Sequence, residues 1–122
     1  MASSAPPPAP LRTIVADDEP DIRDFIGFVL ERAGHVVTIA GDGAEVLARA
    51  AEEHYDLVVL DHHMPRLTGL AVAVELHRTS PTTKVLLMSG DLDVGREHEA
   101  FLPKPFNRSE FMTAVAALLG PP

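Results

Sequence analysis

The sequence predicts a doubly wound α/β domain built on a five-stranded parallel sheet. Three observations carry that prediction. Short apolar runs alternate with segments whose apolar residues recur every three or four positions. The runs are mainly apolar instead of alternating strictly with polar residues, as strands covered on both faces require. Cap and turn signals separate the two kinds of segment, as strand–helix–strand units demand.

Composition narrows the function classes. The 122 residues suit one domain. Ten basic against 18 acidic residues leave a net charge of -8, which argues against a nucleic-acid or anionic membrane surface. There is no cysteine, so disulfides, thiolate nucleophiles and Cys-ligated zinc are excluded.

Residues 1–10 hold four prolines with neither a basic stretch nor an apolar core. They read as a disordered Pro/Ala-rich lead-in, not a secretory signal. Leu11 to Ala16 is the first strand. Ile22, Phe25, Ile26, Val29, Leu30 and Ala33 form a helical stripe that Gly34 closes. Val36 to Ala40 is the second strand, and Asp42 with Glu45 caps a helix carrying Val46, Leu47, Ala50 and Ala51.

Leu57 to Leu60 is a third strand running into Asp61. A loop, His62 to Thr68, leads to a helix over Gly69 to Arg78. Ser80-Pro81 marks a turn before the fourth strand, Lys84 to Met88. Asp91 to Glu99 is acidic and forms at best one or two helical turns, and Glu99 to Leu102 is a short fifth strand. Asn107 with Glu110 opens a last helix bearing Phe111, Met112, Val115, Leu118 and Leu119. No apolar run approaches the ~20 residues that span a bilayer, so no membrane insertion and a cytoplasmic location are expected.

Open parallel sheets bind ligands beyond the carboxyl ends of their strands. There stand Asp17, Asp18 and Glu19 after the first strand, Asp61 after the third, Ser89 and Gly90 after the fourth, and Lys104 between Pro103 and Pro105 after the fifth. Carboxylates so close repel one another, and a divalent cation, Mg²⁺ by preference, offsets that repulsion. An ammonium and a hydroxyl beside them suit a phosphoryl group, and one carboxylate can act as nucleophile. Singly, these residues are commonplace helix starts and turn residues. Their arrival at four strand ends together is not, and Lys104 is one of only two lysines, with Lys84.

In these residues the chain resembles the receiver domain of two-component response regulators, a flavodoxin-like fold. The matching segments are Ile14-Val15-Ala16-Asp17-Asp18-Glu19-Pro20, Leu57-Val58-Val59-Leu60-Asp61-His62-His63-Met64-Pro65, Gly69-Leu70, Leu86-Leu87-Met88-Ser89-Gly90 and Leu102-Pro103-Lys104-Pro105-Phe106. The resemblance implies that Asp61 is the phosphoacceptor and that Asp17, Asp18, Asp61 and the His63 backbone carbonyl hold Mg²⁺. It further implies that Ser89 and Lys104 contact the phosphoryl group, that Phe101 is the switch aromatic, and that the Lys104–Pro105 bond is cis. The donor would be a phosphohistidine on a histidine kinase or phosphotransfer protein. Residues 11–120 would form the receiver with no output domain, so a single-domain regulator that switches a protein-interaction surface or relays the phosphoryl group onward, its downstream target unknown, is expected, and not a turnover enzyme.

Three departures qualify the resemblance. Fifteen positions separate Ser89 from Lys104, so the fourth helix should be short or irregular. Phe101 stands where Tyr or His is common, and Gly90 where alanine is common. The first two support an alternative, a phosphorylation-independent interaction module with the same fold. A phosphatase using Asp61 would need a second Asp at position 63, which is His63.

The remaining residues have plainer expectations. His62 and His63 should point opposite ways and share no metal ion. His35, His54, His77 and His98 should lie at the surface or at helix ends. Met64, Met88 and the stripe from Ile22 to Val29 should be core, and the acidic residues at 91, 93, 97 and 99 a solvated face.

Overall fold

Every residue of the strand Leu57–Asp61 is buried, and it lies at the centre of the sheet. The computed structural model describes residues 10–96, 98 and 100–120. In chain order these form β1 (Arg12–Ala16), α1 (Pro20–Arg32), β2 (Val36–Ala40), α2 (Gly43–Glu52) and β3 (Leu57–Asp61). Then come α3 (Gly69–Thr79), β4 (Lys84–Ser89), a 3-10 helix (Leu92–Arg96), β5 (Phe101–Pro103) and α4 (Arg108–Leu119). The strands pair in parallel in the order β2-β1-β3-β4-β5. The chain moves outward from β1 to β2 and then returns to β3 on the other side. The carboxyl ends of β1 and β3 therefore flank the point where the winding reverses, where such sheets bind ligands.

Side chains alternate across each strand and split the core in two. Ile14, Val58, Leu60 and Leu87 pack with Val46, Val72 and Leu76 of α2 and α3. Val15, Val59, Leu86 and Met88 pack on the other face with Ile26, Leu30, Phe111 and Val115 of α1 and α4.

The helix ends follow their local chemistry. Gly34, at φ 95, closes α1, where Gly34 N–H donates to Glu31 and His35 N–H to Leu30, both at 3.0 Å. Asp42 accepts the Glu45 N–H at 2.9 Å. The Glu45 carboxylate turns to the N–H of Gly41 instead of Asp42, at 3.0 Å, so that box is shifted by one residue. Asn107 and Glu110 complete a reciprocal box at 2.9 and 2.8 Å.

Several expectations are corrected. Phe25 is not core: it is 40% exposed, because α1 turns Ile26, Val29 and Leu30 to the sheet and leaves Phe25 on its flank. β3 and β4 each run one residue further, taking in Asp61 and Ser89. His98 is tied to β4, its Nε2 lying 3.0 Å from the Val85 carbonyl, and His35 meets Thr13 Oγ1 at 2.9 Å. Burial pushes the His35 pKa down against the pull of Asp56. As expected, the fourth helix is reduced to the 3-10 helix Leu92–Arg96, and the Lys104–Pro105 bond is cis. The lead-in at residues 1–9 and the acidic positions 97 and 99 lie outside the described residues.

The two aromatic environments give a direct comparison. Phe111 is fully buried and stacks on Phe106, so Phe111→Ala should cost about 3–5 kcal/mol in urea denaturation. Phe28, 59% exposed, should lose no more than about 0.5 kcal/mol as Ala in the same measurement.

Candidate functional site

β1 and β3 pair with Ala16 opposite Leu60, so Asp17 and Asp61, the next residues, stand side by side at adjacent strand ends. Both are buried, at 0% and 2% exposure. Lys104 reaches them from the far side of the sheet. Its N–H donates to the Ser89 carbonyl at 2.9 Å, continuing the β4–β5 ladder past Pro103. Its Nζ lies 2.9 Å from Asp17 Oδ2 and 3.2 Å from Asp61 Oδ1, with Glu19 Oε1 further off at 3.5 Å. Asp18 is exposed, yet one carboxylate oxygen from each of Asp17, Asp18 and Asp61 falls within 4.8 Å of the others.

The charges do not balance. Burial, and then the neighbouring Asp17, push the Asp61 pKa up against Lys104 and a His63 backbone hydrogen bond. Burial works against the Lys104 ammonium, but the hydrogen bonds and charges of Asp17 and Asp61 prevail and raise its pKa. One ammonium thus faces the three carboxylates of the cluster. The donor set is all oxygen and carries excess negative charge, which fits a hard divalent cation. Among the described residues, this is the cluster able to hold one.

Asp61 pairs with Met88 on β4, which places the buried Ser89 one residue further along the neighbouring strand. Ser89 Oγ accepts the Asp91 N–H at 2.9 Å, leaving its hydroxyl proton for another acceptor. Phe101 stands apart from the carboxylates, at the start of β5 beside Leu87.

The two loop histidines depart from expectation. Their rings meet edge to face at 5.1 Å, because the chain bends at His62, whose N–H is held by the Met88 carbonyl at 2.8 Å. His62 Nδ1 accepts the Leu70 N–H at 3.3 Å, which ties the loop to α3.

Gly69 has a role that its sequence pattern did not reveal. A β-carbon there would lie 2.4 Å from the Asp61 carbonyl oxygen and 2.8 Å from His62 Cα. The first turn of α3 therefore packs directly on the strand end that carries Asp61. Only tertiary contact exposes this; the local signal was a glycine after the Thr68 cap.

A family model of the response regulator receiver domain matches residues 13–116. Response regulator MprA of Mycolicibacterium vanbaalenii is 35% identical over 119 residues, which cover 90% of this chain and 51% of MprA. Transcriptional activator protein PfeR of Pseudomonas aeruginosa is 36% identical over 122 residues, 92% of this chain and 38% of PfeR. The chain thus spans about half the length, or less, of these curated relatives. Among solved structures, the response regulator TrrA of Thermotoga maritima, in complex with Mg²⁺ and BeF, has a TM-score of 0.81 at 32% identity, covering 89% of this chain and 99% of that one. Chemotaxis protein CheY4 of Vibrio cholerae gives a TM-score of 0.80 at 28% identity, with 91% and 100% covered. The chain belongs to the receiver domain family of two-component response regulators. No helix among the described residues is long and apolar enough to cross a membrane.

Two outcomes follow from this geometry. Because the folded-state pKa of Asp61 is raised, the folded protein binds a proton more readily than the unfolded chain, and stability falls as pH rises through that raised value. In chelator, Asp61→Asn should therefore have a higher Tm than wild type at pH 7. That advantage should shrink as pH falls toward about 4, the ordinary carboxylate range. Gly69→Ala should lose about 1–3 kcal/mol in urea denaturation by overpacking against the Asp61 and His62 backbone.

Proposed function

We propose that this receiver domain accepts a phosphoryl group on Asp61 from a phosphohistidine of a histidine kinase or phosphotransfer protein. The carrying observation is Lys104 Nζ bridging the buried carboxylates of Asp17 and Asp61 where the sheet winding reverses. An Asp61 carboxylate oxygen attacks phosphorus, and the bond from phosphorus to the imidazole nitrogen breaks. That electron pair returns to the ring, and an acyl phosphate forms on Asp61. Lys104, held against Asp61 Oδ1 beforehand, neutralises the incoming phosphoryl oxygens. Ser89 Oγ donates its unused proton to one of them.

Asp17, Asp18, Asp61 and the His63 carbonyl would hold Mg²⁺, which offsets negative charge on the phosphoryl oxygens when bound. The all-oxygen cluster and the Mg²⁺–BeF complex of the similar TrrA support this. The acceptor is modified stoichiometrically: position 63, two residues beyond it, is His63 and supplies no second carboxylate. Modification then changes a protein-contact surface.

Intact mass after incubation with Mg²⁺ and a small phosphodonor tests the proposal. Wild type should gain one phosphoryl group, with none in chelator and none in Asp61→Asn. No gain, with a phosphorylated histidine kinase as donor too, would leave a phosphorylation-independent interaction module.

A further inference from the structure

Among the described residues, Arg66 is the one non-glycine with a positive φ, at 67°. The next residue, Leu67, donates its N–H back to the Pro65 carbonyl at 2.7 Å. Together these mark a γ-turn of the rare, strained hand, centred on Arg66. A glycine would adopt that conformation at no steric cost. What arginine adds is reach: its Nη2 donates to Asp42 Oδ2 at 3.1 Å.

Two further contacts fix the same corner. Asp42 caps α2 through its other oxygen, Oδ1, which accepts the Glu45 N–H at 2.9 Å. One carboxylate thus ties the start of α2 to the tip of the β3–α3 loop. Beside it, a β-carbon on Gly43 would lie 2.6 Å from Val72 Cγ2 and 3.3 Å from both Leu67 Cδ2 and the Leu67 carbonyl oxygen. Gly43 is buried, and its bare backbone lets Leu67 close down on α2. Strained backbone persists only where its surroundings over-determine it, and here an ion pair and a packed leucine do so.

The loop they hold is short and closed. The His62 carbonyl accepts the N–H of Met64 at 3.1 Å and that of Gly69 at 3.0 Å. The chain must turn back between Met64 and Gly69 for both bonds to form, and the Arg66 turn supplies that reversal. Between His62 and Met64 lies His63, whose backbone hydrogen-bonds the Asp61 carboxylate.

We propose that Arg66 is a positioning residue: its pairing with Asp42 locks the strained turn and so sets the His63 carbonyl for a divalent cation. The role of that carbonyl rests on the function proposed above; the lock rests on geometry alone. Without the pair, the turn relaxes toward ordinary backbone angles, the closure at His62 loosens, and the carbonyl no longer holds one orientation. The Arg66 side chain is 80% exposed, so the pair adds little to overall stability. Its effect is local, on the loop and on the ion.

Titration calorimetry of the full chain with MgCl₂ tests this in Asp42→Asn, Arg66→Gln and the double variant. Asparagine keeps the α2 cap, and each variant removes one charge of the pair. Each single variant should weaken Mg²⁺ binding about threefold, the size of an exposed ion pair. The double variant should lose no more than either single one. Charge acting through space would do otherwise: losing Arg66 would tighten Mg²⁺ binding and losing Asp42 would weaken it, additively. Opposite signs, additive losses or unchanged affinities overturn the positioning role. In chelator, hydrogen exchange at the Leu67 amide should quicken at least about threefold in both single variants while the Tm barely moves. Unchanged exchange there overturns the lock itself. If wild type binds no Mg²⁺, the cation reading fails and takes the positioning role with it, whereas Leu67 exchange still decides the lock.

Discussion

A single ammonium set against buried carboxylates is the constraint on which this molecule turns. Lys104 Nζ touches both Asp17 and Asp61, and neither carboxylate is open to solvent. Burying like charges side by side is costly, and one cation cannot neutralise three carboxylates. Burial first, and the neighbouring Asp17 second, push the Asp61 pKa up. In the function proposed above, a cation completes so negative a site and makes it receptive to a phosphoryl group. Chemistry and instability here share one cause.

The fold exists to hold that cluster together. Asp17 and Asp61 are neighbours because β1 and β3 pair in register at the winding reversal. Lys104 reaches them because the ladder from β4 continues through its N–H past Pro103. Gly69 lets α3 press against the strand end that presents Asp61. These parts lie in four separate stretches of chain, so the site forms only when the sheet is complete.

Much of this was legible in the residues. The strands announced themselves as short apolar runs, and the caps at Asp42 and Asn107 as polar residues three before a glutamate. Asp17, Asp18, Asp61 and Lys104 stood out because a parallel sheet must deliver its strand ends to one edge. Other features were not legible, for identifiable reasons. Phe25 fits the helical stripe, but helix rotation leaves it on the flank, and periodicity alone does not fix rotation to within one residue. The histidine rings meet because a backbone hydrogen bond bends the loop at His62, a tertiary contact. Gly69 is defined by what a side chain would strike, and no local pattern encodes that.

The most direct measurement is the Tm as a function of MgCl₂, beside NaCl at matched ionic strength, in wild type and Asp17→Asn. If the buried cluster is a cation site, Tm rises with Mg²⁺ as a single binding equilibrium dictates. The rise should be absent in Asp17→Asn and in NaCl. A wild-type Tm that responds to Mg²⁺ no more than to NaCl, or a variant that responds as strongly as wild type, would contradict that site.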